Sequence, residues 1–559
     1  MGIIGIFFLA LIGIIVWVVK QKQNDSADYF LGGRDATWLA IGASIFASNI
    51  GSEHLIGLAG AGASSGMAMA HWEIQGWMIL ILGWVFVPFY SRSMVYTMPE
   101  FLERRYNPQS RTILSVISLI SYVLTKVAVT VYAGGLVFQQ VFGIKELWGI
   151  DFFWIAAIGL VVLTALYTIF GGMKSVLYTS VLQTPILLLG SLIILVLGFK
   201  ELGGWDEMMS ICSAVTVNEY GDTMTQLIRD NNDPNFPWLG ALVGSAIIGF
   251  WYWCTDQFIV QRVLSGKNEK EARRGTIFGA YLKLLPVFLF LIPGMIAFAL
   301  HQKYIGAGGE GFLPLLANGT ANADAAFPTL VAKLLPAGVK GLVVCGILAA
   351  LMSSLASLFN SSAMLFTIDF YKRFKPETPE KKLVGIGQIA TVVIVILGIL
   401  WIPIMRSVGD VLYTYLQDVQ SVLAPGIAAA FLLGICWKRT SAKGGMWGLI
   451  AGMIIGLTRL GAKVYYSNTA ITDSSMFKYL FYDLNWLFFC GWMFLFCIIV
   501  VIAVSLMTEA PSAEKIQGLV FGTSTPEQKA ATRASWNHWD IIHTVIILAI
   551  TAAFYWYFW

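Results

Sequence analysis

A small set of ionisable and amide side chains interrupts long apolar segments of this sequence. Carboxylates accept hydrogen bonds, lysine donates them, and histidine, asparagine and glutamine do both. Burying such groups costs free energy unless each finds a partner, which makes them candidates for binding a polar ligand. The set comprises Glu53, His54, Glu73, Lys126, Asp256, Lys283, Gln417 and Asp418, with Ser48, Asn49, Ser52, Gln75, Thr255, Gln257 and the polar residues of 353–362 nearby.

Two of these polar clusters fall inside apolar runs that are too long for one simple helix. Residues 46–54 read FASNIGSEH, and residues 251–257 read WYWCTDQ. Asn, Gly and Ser are poor helix formers, so the sequence predicts a helix break at the first cluster. An unwound turn at membrane depth exposes backbone carbonyls and is tolerated only where it lines a cavity.

A run of small residues over 349–357, AALMSSLAS, allows two interpretations. Small residues at helical spacing often serve only close helix packing. The alternative is a site for a hard cation such as sodium, which prefers several oxygen ligands. Serine hydroxyls, together with carbonyls freed by a broken helix, supply such oxygens with little added charge.

The elements that must position these groups are membrane helices. The chain has 559 residues, of which 57% are hydrophobic and 12% charged, whereas soluble proteins average about 25% charged. Its mean hydropathy is +0.73, which excludes a soluble multidomain protein and a disordered chain. The net charge of +4 gives no indication of nucleic-acid binding. The polar segments contain no nucleophile–base pair, metal-ligand spacing or phosphate loop, so we expect neither an enzyme nor a cofactor.

Counting apolar runs of about 20 residues predicts an all-α polytopic protein with about 14 transmembrane helices. The runs lack period-two alternation, which argues against a strand barrel. They lie near 3–19, 36–66, 70–91, 112–142, 150–169, 175–199, 236–264, 275–301, 337–370, 383–404, 409–436, 444–462, 481–507 and 537–558.

Loop charges predict the orientation of these helices. If the N-terminus is outside and every run crosses once, lysines and arginines are far more frequent in the cytoplasmic loops than outside. The positive-inside rule then places both termini outside a plasma membrane, and we expect a bacterial inner membrane. The first run lacks a basic segment before it and a cleavage site after it, so it is interpreted as a retained helix.

The two interrupted helices open two groups of five spans. Because five is odd, the groups 36–199 and 236–437 run in opposite orientations, and interrupted helices at corresponding places in inverted halves are typical of a transporter site. The remaining divisions are a first flanking helix with its cytoplasmic loop at 1–35, an extracellular loop at 200–235 and C-terminal flanking helices at 438–559.

Five ordered motifs resemble the sodium/solute symporter family, in its sodium–glucose cotransporter branch. They are residues 47–60 (ASNIGSEHLIGLAG), 252–257 with Gln261 and Arg262, 281–284 (YLKL), 352–357 with 359–361, and 415–417 (YLQ). The resemblance implies a LeuT-type fold of five-plus-five inverted repeats with flanking helices. It also implies a sugar and sodium as co-transported ligands, a lipid bilayer around the chain, no cofactor and function as a monomer.

The resemblance also implies roles for individual residues. The polar sugar ligands are Asn49, His54, Glu73, Lys283 and Gln417. Tyr252 covers the sugar on its inner side, with Trp253 beside it. An outer gate falls at Leu58, Trp72 and Tyr413, and Tyr252 acts as the inner one. Sodium is bound by the backbone carbonyls of Ala47, Ile50 and Ala350 and by the hydroxyls of Ser353 and Ser354.

Four positions depart from the pattern of the family. Ser180 stands where much of the family has Asp, and Ala356 stands where members with a second sodium carry a hydroxyl. These two departures predict one sodium per sugar. Gly76 and Gly249 occupy places where some relatives have a polar contact to the sugar.

The resulting hypothesis is sodium-coupled import of a neutral hexose by alternating access. Each hexose hydroxyl that leaves water needs a partner inside the protein, and these polar side chains offer donors and acceptors. Lys126 keeps an anionic sugar open as an alternative, alongside a cyclic polyol and a sugar-gated sensor that does not transport. Structural roles also stay open: an ion pair for Glu73 and Lys283, an interhelix contact for His54, and packing for Tyr252 and Trp253.

Overall fold

A computed structural model describes residues 2–21, 25–51, 53–316, 318–405, 412–467 and 475–559. Across these ranges the protein is mostly helical. Its long helices are Gly2–Lys20, Trp38–Asn49, Glu53–Ser93, Pro108–Ser121 continued by Tyr122–Val127 and Ala128–Phe142, Phe152–Leu202, Trp238–Thr255, Gln257–Leu264, Glu269–Gly306, Ala337–Met364 continued by Leu365–Tyr371, Glu380–Met405, Leu412–Cys436, Ala442–Ser467, Trp486–Met507 and His538–Tyr557.

Within the described residues, 11 helices are long and apolar enough to cross a membrane. This number is compatible with the larger count of apolar runs because two of these stretches each contain two runs divided by a non-helical glycine. Gly66 (φ 65°, ψ −139°) divides the end of run 36–66 from run 70–91 in Glu53–Ser93, and Gly172 (φ 52°, ψ −148°) divides runs 150–169 and 175–199 in Phe152–Leu202. A third predicted span, 112–142, is divided among shorter segments. The protein is therefore a multi-pass membrane protein.

The first predicted break lies where the sequence places it. Helix Trp38–Asn49 ends at Ile50, whose backbone is extended (φ −80°, ψ 102°), and the chain becomes helical again at Glu53. We call Trp38–Asn49 together with Glu53–Leu58 and Ala59–Ser65, which end at Gly66 (φ 65°, ψ −139°), the first broken helix. Asn49 and Ile50 before the break and His54 after it are buried, so the break lies in the protein interior, as expected for a cavity-lining break.

The second break lies at Asp256. Helix Trp238–Thr255 stops there because Asp256 takes an extended conformation (φ −76°, ψ 128°), and helix Gln257–Leu264 follows. The Asp256 carboxylate accepts the backbone N–H of Phe258 (3.3 Å) and so caps the second half. We call these two segments the second broken helix.

Helix Phe152–Leu202 contains a sharp kink at Gly172. This glycine has φ +52°, and a Cβ added to it would lie 2.4 Å from the carbonyl oxygen of Tyr29. Only glycine combines a left-handed conformation with such a close backbone approach. Gly172 therefore separates two helices, in agreement with the predicted spans 150–169 and 175–199, and helix Ala337–Met364 packs against this stretch.

A short antiparallel hairpin precedes that long helix. Strand Glu146–Leu147 pairs with Ile150–Asp151, with Leu147 opposite Ile150. The two turn residues, Trp148 and Gly149, both have positive φ (55° and 75°), which is the geometry of a type I′ turn.

Candidate functional site

One cavity beside the two broken helices contains all seven side chains predicted to contact a substrate. The space free of protein atoms is about 620 Å³, including open solvent at its mouth. Its lining comprises Asn49, Glu53, His54, Trp72, Glu73, Gln75, Lys126, Val129, Thr130, Ile248, Gly249, Tyr252, Trp253, Phe258, Lys283, Ser354, Leu358, Gln417 and Gln420.

A chain of polar contacts crosses this cavity. The Lys283 ammonium donates to Glu73 Oε2 (2.6 Å) and to Asn49 Oδ1 (3.1 Å). His54 Nε2 lies 3.3 Å from the same Glu73 oxygen, and the Asn49 amide donates to the Tyr252 hydroxyl (3.1 Å). Glu73 and Lys283 thus form a buried ion pair and also line the cavity, so a structural role and a binding role are compatible.

The two aromatic residues after Trp251 present rings to the cavity. Tyr252 and Trp253 pack edge to face, with ring centroids 4.9 Å apart. The indole N–H of Trp253 donates to Gln75 Oε1 (3.3 Å), and the Lys283 ammonium lies 5.3 Å from the Trp253 ring centroid. These contacts fix the plane of the indole, and a fixed aromatic face suits the apolar side of a sugar ring.

Lys126 is compensated by a carboxylate 130 residues away in the sequence. Its ammonium lies 2.6 Å from Asp256 Oδ2, and both side chains are buried. The Tyr122 hydroxyl donates to the other oxygen of Asp256. The rings of Tyr252 and Phe258 each lie 4.6 Å from the Lys126 ammonium, a cation–π arrangement that further stabilises the charge.

The predicted sodium ligands lie on two buried helices. Ala47 and Ile50 end the first half of the first broken helix, whereas Ala350, Ser353 and Ser354 lie in helix Ala337–Met364. Backbone carbonyls at a helix break and serine hydroxyls are oxygen donors of the kind that a hard cation takes. Ser354 also lines the cavity, so one wall joins the predicted cation ligands to the predicted substrate ligands.

Hydroxyl contacts connect these helices around the predicted cation ligands. Ser48 and Ser357 lie 2.6 Å apart, between the first broken helix and helix Ala337–Met364. The Ser180 hydroxyl lies 3.2 Å from that of Ser353 and 3.5 Å from that of Ser44. Ser180, where much of the family has Asp, therefore contributes a neutral oxygen at this junction.

The predicted gate residues differ in their positions. Trp72 and Tyr252 line the cavity, and the Trp72 ring stacks on Trp486 with centroids 5.5 Å apart. Leu58 is fully buried in the segment Glu53–Leu58 and is not part of the lining. The Tyr413 side chain lies outside the described residues.

Some lining residues received no role from the sequence. Gln420 and Thr130 line the cavity one helical turn from Gln417 and Lys126, and the spacing i, i+3 or i, i+4 is the signal that could have identified them. Glu53 also lines the cavity, and its buried Oε2 accepts no hydrogen bond from the described part of the chain.

The chain matches known proteins over most of its length. The model of the sodium:solute symporter family matches residues 29–452. The human sodium/myo-inositol cotransporter 2 is 37% identical over 536 residues, which cover 93% of this chain and 78% of that protein. Sodium/glucose cotransporter 1 of Ovis aries is 37% identical over 91% of this chain and 78% of its own length.

A solved structure gives the same fold. It is a Na⁺-coupled sialic acid symporter in a substrate-bound, outward-open state, with a TM-score of 0.72 and 22% sequence identity, covering 91% of this chain and 98% of that one. The all-α, LeuT-type fold class expected from the sequence is confirmed, as is sodium as a co-transported ion. The protein is a sodium-coupled solute symporter rather than an enzyme, and it belongs to the sodium:solute symporter family.

Proposed function

We propose that the protein imports a neutral hexose together with one sodium ion by alternating access. Sodium binds at the first helix break, at the carbonyls of Ala47, Ile50 and Ala350 and the hydroxyls of Ser353 and Ser354. It braces the first broken helix against helix Ala337–Met364. Bracing this break orients Asn49 and His54 for the sugar.

The proposal rests on one observation: each of the two lysines at the cavity is paired with a carboxylate. Lys283 is paired with Glu73 and Lys126 with Asp256, each at 2.6 Å. Neither ammonium is therefore left to compensate an anionic substrate, and burying an anion without a partner is costly. A neutral substrate rich in hydroxyls suits this lining, because the network still has donors and acceptors to share.

Each group of the network contributes a different hydrogen bond. Glu73 accepts, Lys283 donates, and Asn49, His54 and Gln417 can do both. Trp253 offers a flat apolar face beside them. This combination supports a ring with hydroxyls around its edge, which is the chemistry shared by hexoses and cyclic polyols.

One sodium ion supplies enough free energy for concentrative uptake. Moving one charge across 100 mV is worth about 2.3 kcal/mol, and a tenfold sodium gradient adds about 1.4 kcal/mol. Together they support a sugar gradient of roughly several hundred-fold. The neutral Ser180 near Ser353 supports a stoichiometry of one.

The test is uptake into proteoliposomes with imposed sodium or proton gradients and a panel of labelled sugars. We expect accumulation of a neutral hexose that requires sodium. A sodium current without accumulation would favour a sensor, and uptake restricted to anionic sugars would refute a neutral substrate.

A serine substitution tests the sodium site. Ser354→Ala should weaken the dependence on sodium more than the selectivity among sugars. Ser362→Ala is the matched control, because this buried hydroxyl on the same helix has no hydrogen bond within the described structure. Unchanged sodium dependence in Ser354→Ala would show that the site is assigned wrongly.

A cyclic polyol is the second candidate substrate. It is favoured by the 37% identity to human sodium/myo-inositol cotransporter 2 over 93% of the chain. Competition of labelled hexose uptake by inositols separates the two, since the preferred substrate competes at the lower concentration.

For the membrane arrangement we propose a bacterial inner membrane, both termini outside and function as a monomer. The distribution of lysine and arginine among the loops supports the orientation. Labelling of single cysteines placed at each end of the chain in intact cells tests it, because a membrane-impermeant reagent reaches only the outer side.

A further inference from the structure

Gln75 lies on the cavity wall although its position in the helix should point it elsewhere. In a regular helix, residues two apart differ by about 200° around the axis, so Glu73 and Gln75 would face opposite ways. Here Ile74 and Gln75 both leave helical geometry, with ψ of 23° and 24°. Because of this local unwinding, both side chains line the same cavity. Such distortions inside helices often mark functional sites.

The Gln75 amide is held in one orientation by the second broken helix. Its Nε2 donates to the carbonyl of Ser245 (2.8 Å), and its Oε1 accepts from the indole of Trp253 (3.3 Å). The side chain is 3% exposed. An amide has two N–H groups and two oxygen lone pairs, so these contacts leave one donor and one acceptor at a fixed place.

Gly249 is the residue that makes room for this amide. A Cβ added at Gly249 would lie 2.5 Å from Gln75 Oε1, 2.9 Å from its Cδ and 3.0 Å from its Nε2. A side chain at 249 and the Gln75 amide therefore compete for the same volume.

We propose that Gln75 is a specificity-determining ligand of the transported substrate, and that Gly249 is small so that the amide can occupy this place. The inference rests on the proposed function, because it assumes a neutral substrate with ring hydroxyls. The remaining N–H and lone pair of the amide recognise one hydroxyl that both donates and accepts. That hydroxyl lies beside the Trp253 ring. A substrate that lacks it leaves the amide unsatisfied and is rejected.

The experiment measures uptake of the best neutral substrate and of each of its monodeoxy analogues by the full chain in proteoliposomes. We expect the wild type to discriminate against one analogue by about tenfold or more in kcat/KM. In Gln75→Ala, the ratio of kcat/KM for the parent sugar to kcat/KM for that analogue should fall towards one, and KM for the parent sugar should rise. The sodium concentration at half-saturation and the ratios for the other analogues should stay unchanged. Identical ratios in Gln75→Ala and the wild type would overturn the inference.

Two further variants separate recognition from structural support. Gln388→Ala is the matched control, since it also removes an amide that donates to a backbone carbonyl, that of Ile169 (3.1 Å), outside the cavity lining. It should leave every ratio unchanged. A general loss of uptake at constant ratios in Gln75→Ala would indicate a merely structural role and overturn the inference.

Gly249→Ser keeps the amide but takes its space, so the proposal remains testable if Gln75→Ala folds poorly. We expect Gly249→Ser to lose the same discrimination between the parent sugar and the analogue. The double variant, Gln75→Ala with Gly249→Ser, should recover uptake with an altered ratio of kcat/KM for these two substrates. Wild-type selectivity in Gly249→Ser would overturn the shared-volume argument. Failure of the wild type to take up any neutral sugar or polyol would instead contradict the proposed function.

Discussion

Replacing Glu73 with Gln tests the buried ion pair at the centre of the cavity. Glu73 and Lys283 are 1% and 3% exposed, and their charged atoms lie 2.6 Å apart. Gln keeps the size and an acceptor oxygen, so the substitution removes mainly the charge. Neutralising one member of a buried pair costs about 3–5 kcal/mol, because the other charge is left uncompensated, whereas replacing both costs far less.

We therefore expect Glu73→Gln to be destabilised by roughly 3–5 kcal/mol, and most of this loss to be recovered when Lys283→Met is added. Uptake should not recover in parallel. A hydrogen bond to a charged group is worth about 1.5–3 kcal/mol, so both variants should lose roughly 10- to 150-fold in kcat/KM. Comparing Glu73→Gln with the double variant therefore separates the effect on stability from the effect on transport.

The assay is a double-mutant cycle on detergent-purified protein. Unfolding is followed by the fluorescence of the 20 tryptophans, and uptake is measured in proteoliposomes at saturating sodium. Additive effects of the two substitutions, within about 0.5 kcal/mol, would refute the ion pair. Retention of wild-type uptake by Glu73→Gln would refute the role of its charge in binding.

Two further substitutions test the elements that support the cavity. Gly172→Ala should lower the midpoint of thermal unfolding, because the added Cβ meets the Tyr29 carbonyl at a residue with a left-handed φ. The control Gly159→Ala adds a Cβ in open space within Phe152–Leu202 and should be neutral or stabilising. Equal midpoints in the two variants would contradict the role given to Gly172. Asp256→Asn should lower both uptake and the midpoint by leaving the Lys126 ammonium uncompensated. Adding Lys126→Gln should recover the midpoint, and a wild-type midpoint in Asp256→Asn alone would count against the pairing.

The helix breaks could be predicted from the sequence because the residues there are poor helix formers. Asn49 is the last helical residue before the first break, within the predicted segment 46–54. The second break lies at Asp256, within the predicted segment 251–257. At these two places the local composition is sufficient to predict an interruption.

The pairing of side chains that lie far apart in the sequence could not be predicted. The sequence left an anionic substrate possible, because the partner of Lys126, Asp256, lies on another helix. The position of Gln75 was equally hidden, since it depends on a loosened backbone at Ile74 that no residue type signals. The division of Phe152–Leu202 into two predicted spans, by contrast, agrees with the structure, because Gly172 is non-helical (φ 52°, ψ −148°) and separates two helices.

The position of Ser354 has a consequence for how the two transported species influence each other. This serine is a predicted sodium ligand and also part of the cavity lining. The shared wall offers a direct route for coupling, and linkage requires that the factor by which sodium raises sugar affinity equals the factor by which sugar raises sodium affinity. The reciprocity holds at equilibrium whatever the order of binding. A variant that loosens helix Ala337–Met364 should therefore reduce both factors equally, and equilibrium binding of each species with and without the other measures how much of the linkage is lost.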